Sequence, residues 1–76
     1  MSPGEYRKGL NPNEWWIYPP PSEKYPTPHI GRIAIHTVEE HEDGTITVSP
    51  SIRELGYQDM PDAWHGFLKH GVWSEA

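Results

Sequence analysis

Five of the nine prolines fall between positions 19 and 28, and this cluster constrains the fold more than any other feature of the chain. Each proline fixes φ near about −65° and lacks a backbone donor, so a helix is excluded there. The segment is expected to run as extended, polyproline-like chain. Upstream, Pro3, Gly4, Gly9, Asn11, Pro12 and Asn13 form a breaker-rich mixture that resists regular structure. Residues 1–30 are therefore expected to form an irregular, Pro-rich N-terminal arm. Within it, Glu14-Trp15-Trp16-Ile17-Tyr18 is a short aromatic run with strong β preference, stopped at once by Pro19.

From Gly31 the pattern changes. Arg32-Ile33-Ala34-Ile35-His36-Thr37-Val38 is rich in β-branched residues and predicts a strand, with Ile33 and Ile35 on one face. Thr45-Ile46-Thr47-Val48-Ser49 predicts a second, and the Asp43-Gly44 step in the acidic stretch between them is a hairpin-turn signal. Ser51 can cap a single helical turn over Arg53-Glu54-Leu55, which Gly56 ends. Residues 56–63 then read as loop.

A final hairpin spans residues 64–73. With Lys69-His70-Gly71 as its loop and Gly71 at positive φ, Leu68 faces Val72, Phe67 faces Trp73, Gly66 faces Ser74 and His65 pairs with Glu75. One face then carries His65, Phe67, Trp73 and Glu75. The other carries Trp64, Leu68 and Val72, with Gly66 leaving a gap that an aromatic ring fills. The expected fold is mostly β: a small single-domain antiparallel sheet of two hairpins over residues 31–76, the N-terminal arm, and at most one short helical turn.

A chain of 76 residues buries only about 60% of the surface that its unfolded form exposes, which argues against a large catalytic cleft with its own supporting shell. A core of this size supplies about 3–5 kcal/mol, so small proteins usually add disulfides, a metal or a partner chain. There is no cysteine, which removes the first of these staples. Four Trp and four Tyr can each bury about 150–250 Å², and in a core this small most of these eight are expected to serve as core. Six Lys and Arg against eleven Asp and Glu give a formal net charge of −5 with the basic residues scattered, so no phosphate-tracking groove and no nucleic-acid partner are expected. No apolar run approaches the length of a membrane span and the start lacks the pattern of a signal peptide, so a cytosolic protein or a virion component is expected.

Five histidines are many for this length, but no His-Glu-x-x-His spacing occurs. His36 and His65 are the only two on predicted strands, where positioning would be rigid enough for a metal. The acidic stretch from Glu39 to Asp43 lacks the ligand spacing of a calcium loop and reads as a solvated hairpin tip. Ser49 and Ser51 flank Pro50 without a nucleophile elbow, and no Gly-rich phosphate loop is present, so no enzymatic activity is expected. The aromatic and proline load points instead to protein–protein contact, with a foreign protein or a second copy. Trp15, Trp16 and Tyr18, beside the arm, are the interface candidates.

In Asp43-Gly44-Thr45-Ile46-Thr47-Val48-Ser49-Pro50-Ser51-Ile52, then Trp64-His65-Gly66-Phe67-Leu68 and Gly71-Val72-Trp73, the chain resembles a family of small uncharacterised proteins of phages, notably those of actinobacteria, and of some bacteria. The likeness covers roughly residues 36 to 75. It implies a small phage accessory protein in the host cytoplasm, acting through a host or phage protein partner, or a minor virion component. Members often carry cysteines, one shortly before the terminal His, in an arrangement that looks like a zinc site. Here Asp62 and Ala63 stand where that cysteine falls. What the resemblance transfers is His65 as a zinc ligand together with Asp62, and His36 completes the alternative reading as a metal-binding domain with hydrolytic activity.

Overall fold

The first hairpin is closed by a side chain. Glu14 accepts a hydrogen bond from the Leu10 amide on Oε1 (3.0 Å) and one from Asn11 Nδ2 on Oε2 (3.4 Å), while its carbonyl takes the Gly9 amide (2.8 Å). This loop brings β1 (Tyr6–Lys8) antiparallel to β2 (Trp15–Ile17), and β3 (Gly31–Ile33) pairs with the other edge of β2. The computed structural model describes residues 1–56 and 61–76. In it, residues 1–30 contribute two strands of a three-stranded sheet, where an irregular arm is expected from sequence. The reason lies in the alternation of β2: Trp15 and Ile17 are buried on one face, and an apolar face of this kind becomes stable in a sheet of three or more strands rather than in a lone hairpin.

The strand expected over residues 32–38 is broken. β3 ends at Ile33, residues 34–36 bend, and β4 (Thr37–Glu40) begins a second sheet, ordered β4-β5-β6-β7. Ile33 and Val38 both pack on the core, yet their odd separation would put them on opposite faces of an unbroken strand. The bend resets the phase and leaves Ile35 outside, 95% exposed, where the sequence pattern pairs it with Ile33.

The helical turn expected after Ser51 is strand. β5 runs Ile46–Glu54 and pairs with β6 (Trp64–Lys69), Ile52 facing Gly66 and Glu54 facing Trp64. Between Val48 and Ile52 the register shifts: β5 takes four residues where β6, from Leu68 to Gly66, takes two. The even surplus holds Ile46, Val48, Ile52 and Glu54 on one buried face, and Pro50, which has no donor for the ladder, sits in the bulge. Of the loop expected over residues 56–63, the middle (57–60) lies outside the described residues.

The last hairpin forms with a shorter turn than expected. His70 (φ 48°) and Gly71 (φ 78°) make a two-residue connection with both φ positive, and Lys69 pairs with Val72 at the start of β7 (Val72–Glu75). Every pair moves by one: Leu68 faces Trp73, Phe67 faces Ser74 and Gly66 faces Glu75, so the His65–Glu75 pair does not form. Trp73 thereby joins the buried face, meeting Trp64 edge to face with centroids 5.4 Å apart, and its Nε1 donates to the Gly4 carbonyl (3.1 Å). The positive-φ glycine closing a three-residue loop occurs instead in the β4–β5 hairpin, at Gly44 (φ 86°) after Glu42 and Asp43.

Side chains from both sheets meet in one core: Trp15, Ile17 and Ile33 from the first, Ile46, Val48, Ile52, Trp64 and Leu68 from the second. Tyr25, from the Pro-rich connection, lies on Trp64 (centroids 6.2 Å apart), so that connection covers one end of the core.

Candidate functional site: a slot between the two sheets

β4 accompanies β5 only as far as Ser49, which faces Thr37. Beyond it, residues 51–54 have β6 on one side and, among the described residues, no strand on the other. A cleft of about 450 Å³ opens along this unpaired edge, walled on its far side by residues 31–36. Exposed Ile35 and Leu55 stand at its margins, and Ile17, Ile33 and Ile52 give it an apolar base.

Two histidines touch the β5 edge. His36 Nε2 lies 3.0 Å from the Ser51 carbonyl and His29 Nε2 lies 3.4 Å from that of Leu55. Backbone groups alternate sides along a strand, so the amide and carbonyl of Arg53, midway between, face the same slot. A carbonyl only accepts, so His36 Nε2 carries the proton and Nδ1 of the neutral ring is left as an acceptor. That Nδ1 is buried and has no partner among the described residues.

Glu54 also lines the slot and is 6% exposed. Its Oε1 accepts from the His29 amide (3.1 Å), while Oε2 is buried without a partner among the described residues. Burial pushes this carboxyl above the ordinary carboxylate range, against the opposing pull of the His29 amide and ring. Gly31 permits the approach: a Cβ there would stand 2.7 Å from Oε2. The two arginines of the slot are already held, Arg53 Nε by Asp62 Oδ1 (2.9 Å) and Arg32 Nε by Glu14 Oε2. The Arg32 hydrogen bond keeps Glu14 below the usual carboxylate range.

The residues singled out from sequence are dispersed. Trp15 is buried in the core, Trp16 is 39% exposed on the opposite face of β2, across from Arg32, and Tyr18 is half-buried with its amide on the Glu5 carbonyl (3.0 Å). His36 and His65 do converge, both on Ser51: His36 on its carbonyl, His65 Nε2 on its Oγ at 3.3 Å. Asp62 turns to Arg53, and no group of three or more metal-binding side chains is assembled among the described residues. Among the described residues no hydrogen bond holds His65 Nδ1, and the Ser51–His65 contact stands as a pair. Glu54 and His29 are missed by the sequence reading. The signal for Glu54 was the even spacing of Ile46, Val48 and Ile52, which continues to position 54.

A second histidine cluster sits at the hairpin tips. The His41 and His70 rings stack (centroids 4.0 Å apart, 9° between planes), with His41 Nε2 at 2.7 Å from Thr47 Oγ1 and His70 Nε2 at 3.5 Å from Asp43 Oδ2. The Thr45 hydroxyl and amide hold Asp43 below its ordinary range. These contacts tie the two tips together.

Compared with protein-family models, curated proteins and solved structures, the chain matches none.

Proposed function

We propose that this chain is a non-enzymatic binding module that takes an extended segment of another protein into the slot, as an added strand on residues 51–54 of β5. The unpaired β5 edge carries this reading. His36 and His29 hold the Ser51 and Leu55 carbonyls, and the Arg53 amide and carbonyl between them face the slot. Free main-chain groups on a strand edge beside apolar pockets recognise extended peptides by strand addition, the main chain supplying affinity and alternate side chains specificity. A second copy of the chain fits poorly, because residues 31–36 wall the far side. The setting implied by the sequence resemblance, a phage accessory protein meeting a host or phage partner in the host cytoplasm, belongs to the same proposal.

The test is selection from a displayed library of random octapeptides, followed by titration of the enriched sequence into ¹⁵N-labelled protein. Shift changes concentrated at residues 31–36 and 51–55, with binding abolished by N-methylation of alternate peptide amides, are expected. No enrichment, or shifts centred elsewhere, overturns the proposal.

A further inference from the structure

The polar atoms of the slot are unbalanced. Among the described residues its lining holds two buried acceptors without donors, Glu54 Oε2 and His36 Nδ1, while Arg32 and Arg53 are each held by a carboxylate. An acceptor removed from water and left without a donor costs about 1–3 kcal/mol, and more when charged. Among the described residues the one other buried polar side-chain atom without a partner is a donor, Trp64 Nε1. The His41–His70 cluster satisfies its contacts internally, and exposed Leu10 and Val72 stand alone as single apolar side chains outside the slot.

We propose that the slot selects a segment carrying a lysine or arginine side chain, whose donors are taken up by Glu54 with His36 beside it. This rests on the strand-addition reading above and adds the chemistry of its occupant. A desolvated carboxylate is best compensated by a cation that also donates hydrogen bonds, and the ammonium and guanidinium groups do both. Glu14 and Asp62 neutralise the neighbouring arginines, so an incoming cation meets no unscreened like charge. The formal net charge of −5 favours its approach. Gly31 adds no side chain over Oε2, which is itself buried, and apolar Ile33 and Ile35 offer a surface for the methylene stem. Side chains alternate along an added strand, so one position of the segment is to be cationic, with apolar residues two places away on the same face.

The experiment selects octapeptides on wild type and on Glu54→Gln in parallel. The selected peptide and its analogue with norleucine for the cationic residue are then titrated into both proteins. Wild type is expected to enrich Lys or Arg at one fixed position, and norleucine there to weaken binding at least about tenfold. Glu54→Gln is expected to lose that preference and still bind the norleucine peptide as wild type does. Enriched extended peptides without a cationic position overturn this inference and leave strand addition standing; no enriched peptide at all removes both. An equal norleucine penalty on the two proteins also overturns it, because the cation then answers to some group other than Glu54. Should Glu54→Gln not fold, the Glu54 carboxyl carbon of wild type is titrated by NMR with and without the cationic peptide. A midpoint lowered by the peptide supports the inference, and an unchanged one overturns it.

Discussion

The indole of Trp64 lies over the backbone of Gly66, two residues along the same strand, so closely that a Cβ at position 66 would stand 2.6 Å from Cη2 and also collide with the Ser74 carbonyl. The ring is fully buried and meets Trp73 on one side and Tyr25 on another, so it has nowhere to retreat. Gly66→Ala is expected to destabilise the fold by about 1–3 kcal/mol, the usual cost of forcing atoms into a packed core. Urea unfolding followed by tryptophan fluorescence measures this. An unchanged midpoint would show that the ring moves freely.

Ile33 and Ile35 look equivalent in sequence and are opposites in the fold. Ile33 is buried between the sheets and Ile35 is 95% exposed at the slot margin. Ile33→Ala is expected to cost about 2–5 kcal/mol and Ile35→Ala to fall within about 0.5 kcal/mol of wild type. Ile35→Ser is expected to weaken peptide binding at the slot without lowering the melting temperature. Comparable destabilisation by the two alanine variants would place residue 35 on a continuous strand after all.

That pair also shows why the sequence was legible only in part. The runs at Trp15–Ile17 and Trp64–Lys69 and the first part of β5, to Ser49, carry strand-forming residues in alternation, while the rest of β5, to Glu54, reads as a helical turn, and the Asp43-Gly44 turn announces itself. What alternation cannot express is a change of sheet in mid-run, as at residues 34–36, or a strand such as Tyr6–Lys8, whose Arg7 and Lys8 face solvent and whose place depends on the Glu14 carboxyl closing the loop. The one-residue error in the last hairpin came from His70, because a non-glycine residue at positive φ leaves no trace in composition. Glu54 was hidden by its own type. A carboxylate on the core face contradicts the pattern that defines the face, and such contradictions gather at functional positions.

His70 is the one described non-glycine residue at positive φ, in a turn whose first position favours Asn. Left-handed backbone costs most L residues about 1–2 kcal/mol, and Asn less. His70→Asn is expected to raise stability by about 0.5 kcal/mol, the relief of strain exceeding the loss of the His41 stack, as read by chemical denaturation. A fall in stability would mean that the stacked rings and the Asp43 contact outweigh the backbone term.

Glu54 makes the fold sensitive to pH in a direction that most carboxylates do not. Its carboxyl is held above the ordinary value of 4.5 by burial, so the folded chain binds this proton more tightly than the unfolded chain. The stability the proton brings is fully present below the unfolded pKa and is lost as pH rises through the raised, folded one. Glu5, Glu14 and Asp43, whose carboxyls are held low, act oppositely: their contribution is present above their unfolded pKa values and is lost as pH falls through the folded ones. These three are common to wild type and Glu54→Gln and cancel in the difference between them. Glutamine keeps an acceptor for the His29 amide and has no proton to lose. The melting temperature of Glu54→Gln minus that of wild type is therefore expected to increase as pH rises from the unfolded value through the raised, folded one, and to level off above it. A difference that stays flat over this range would mean that Glu54 titrates alike in the folded and unfolded chain, and the slot would then hold no strained carboxyl for a cation to relieve.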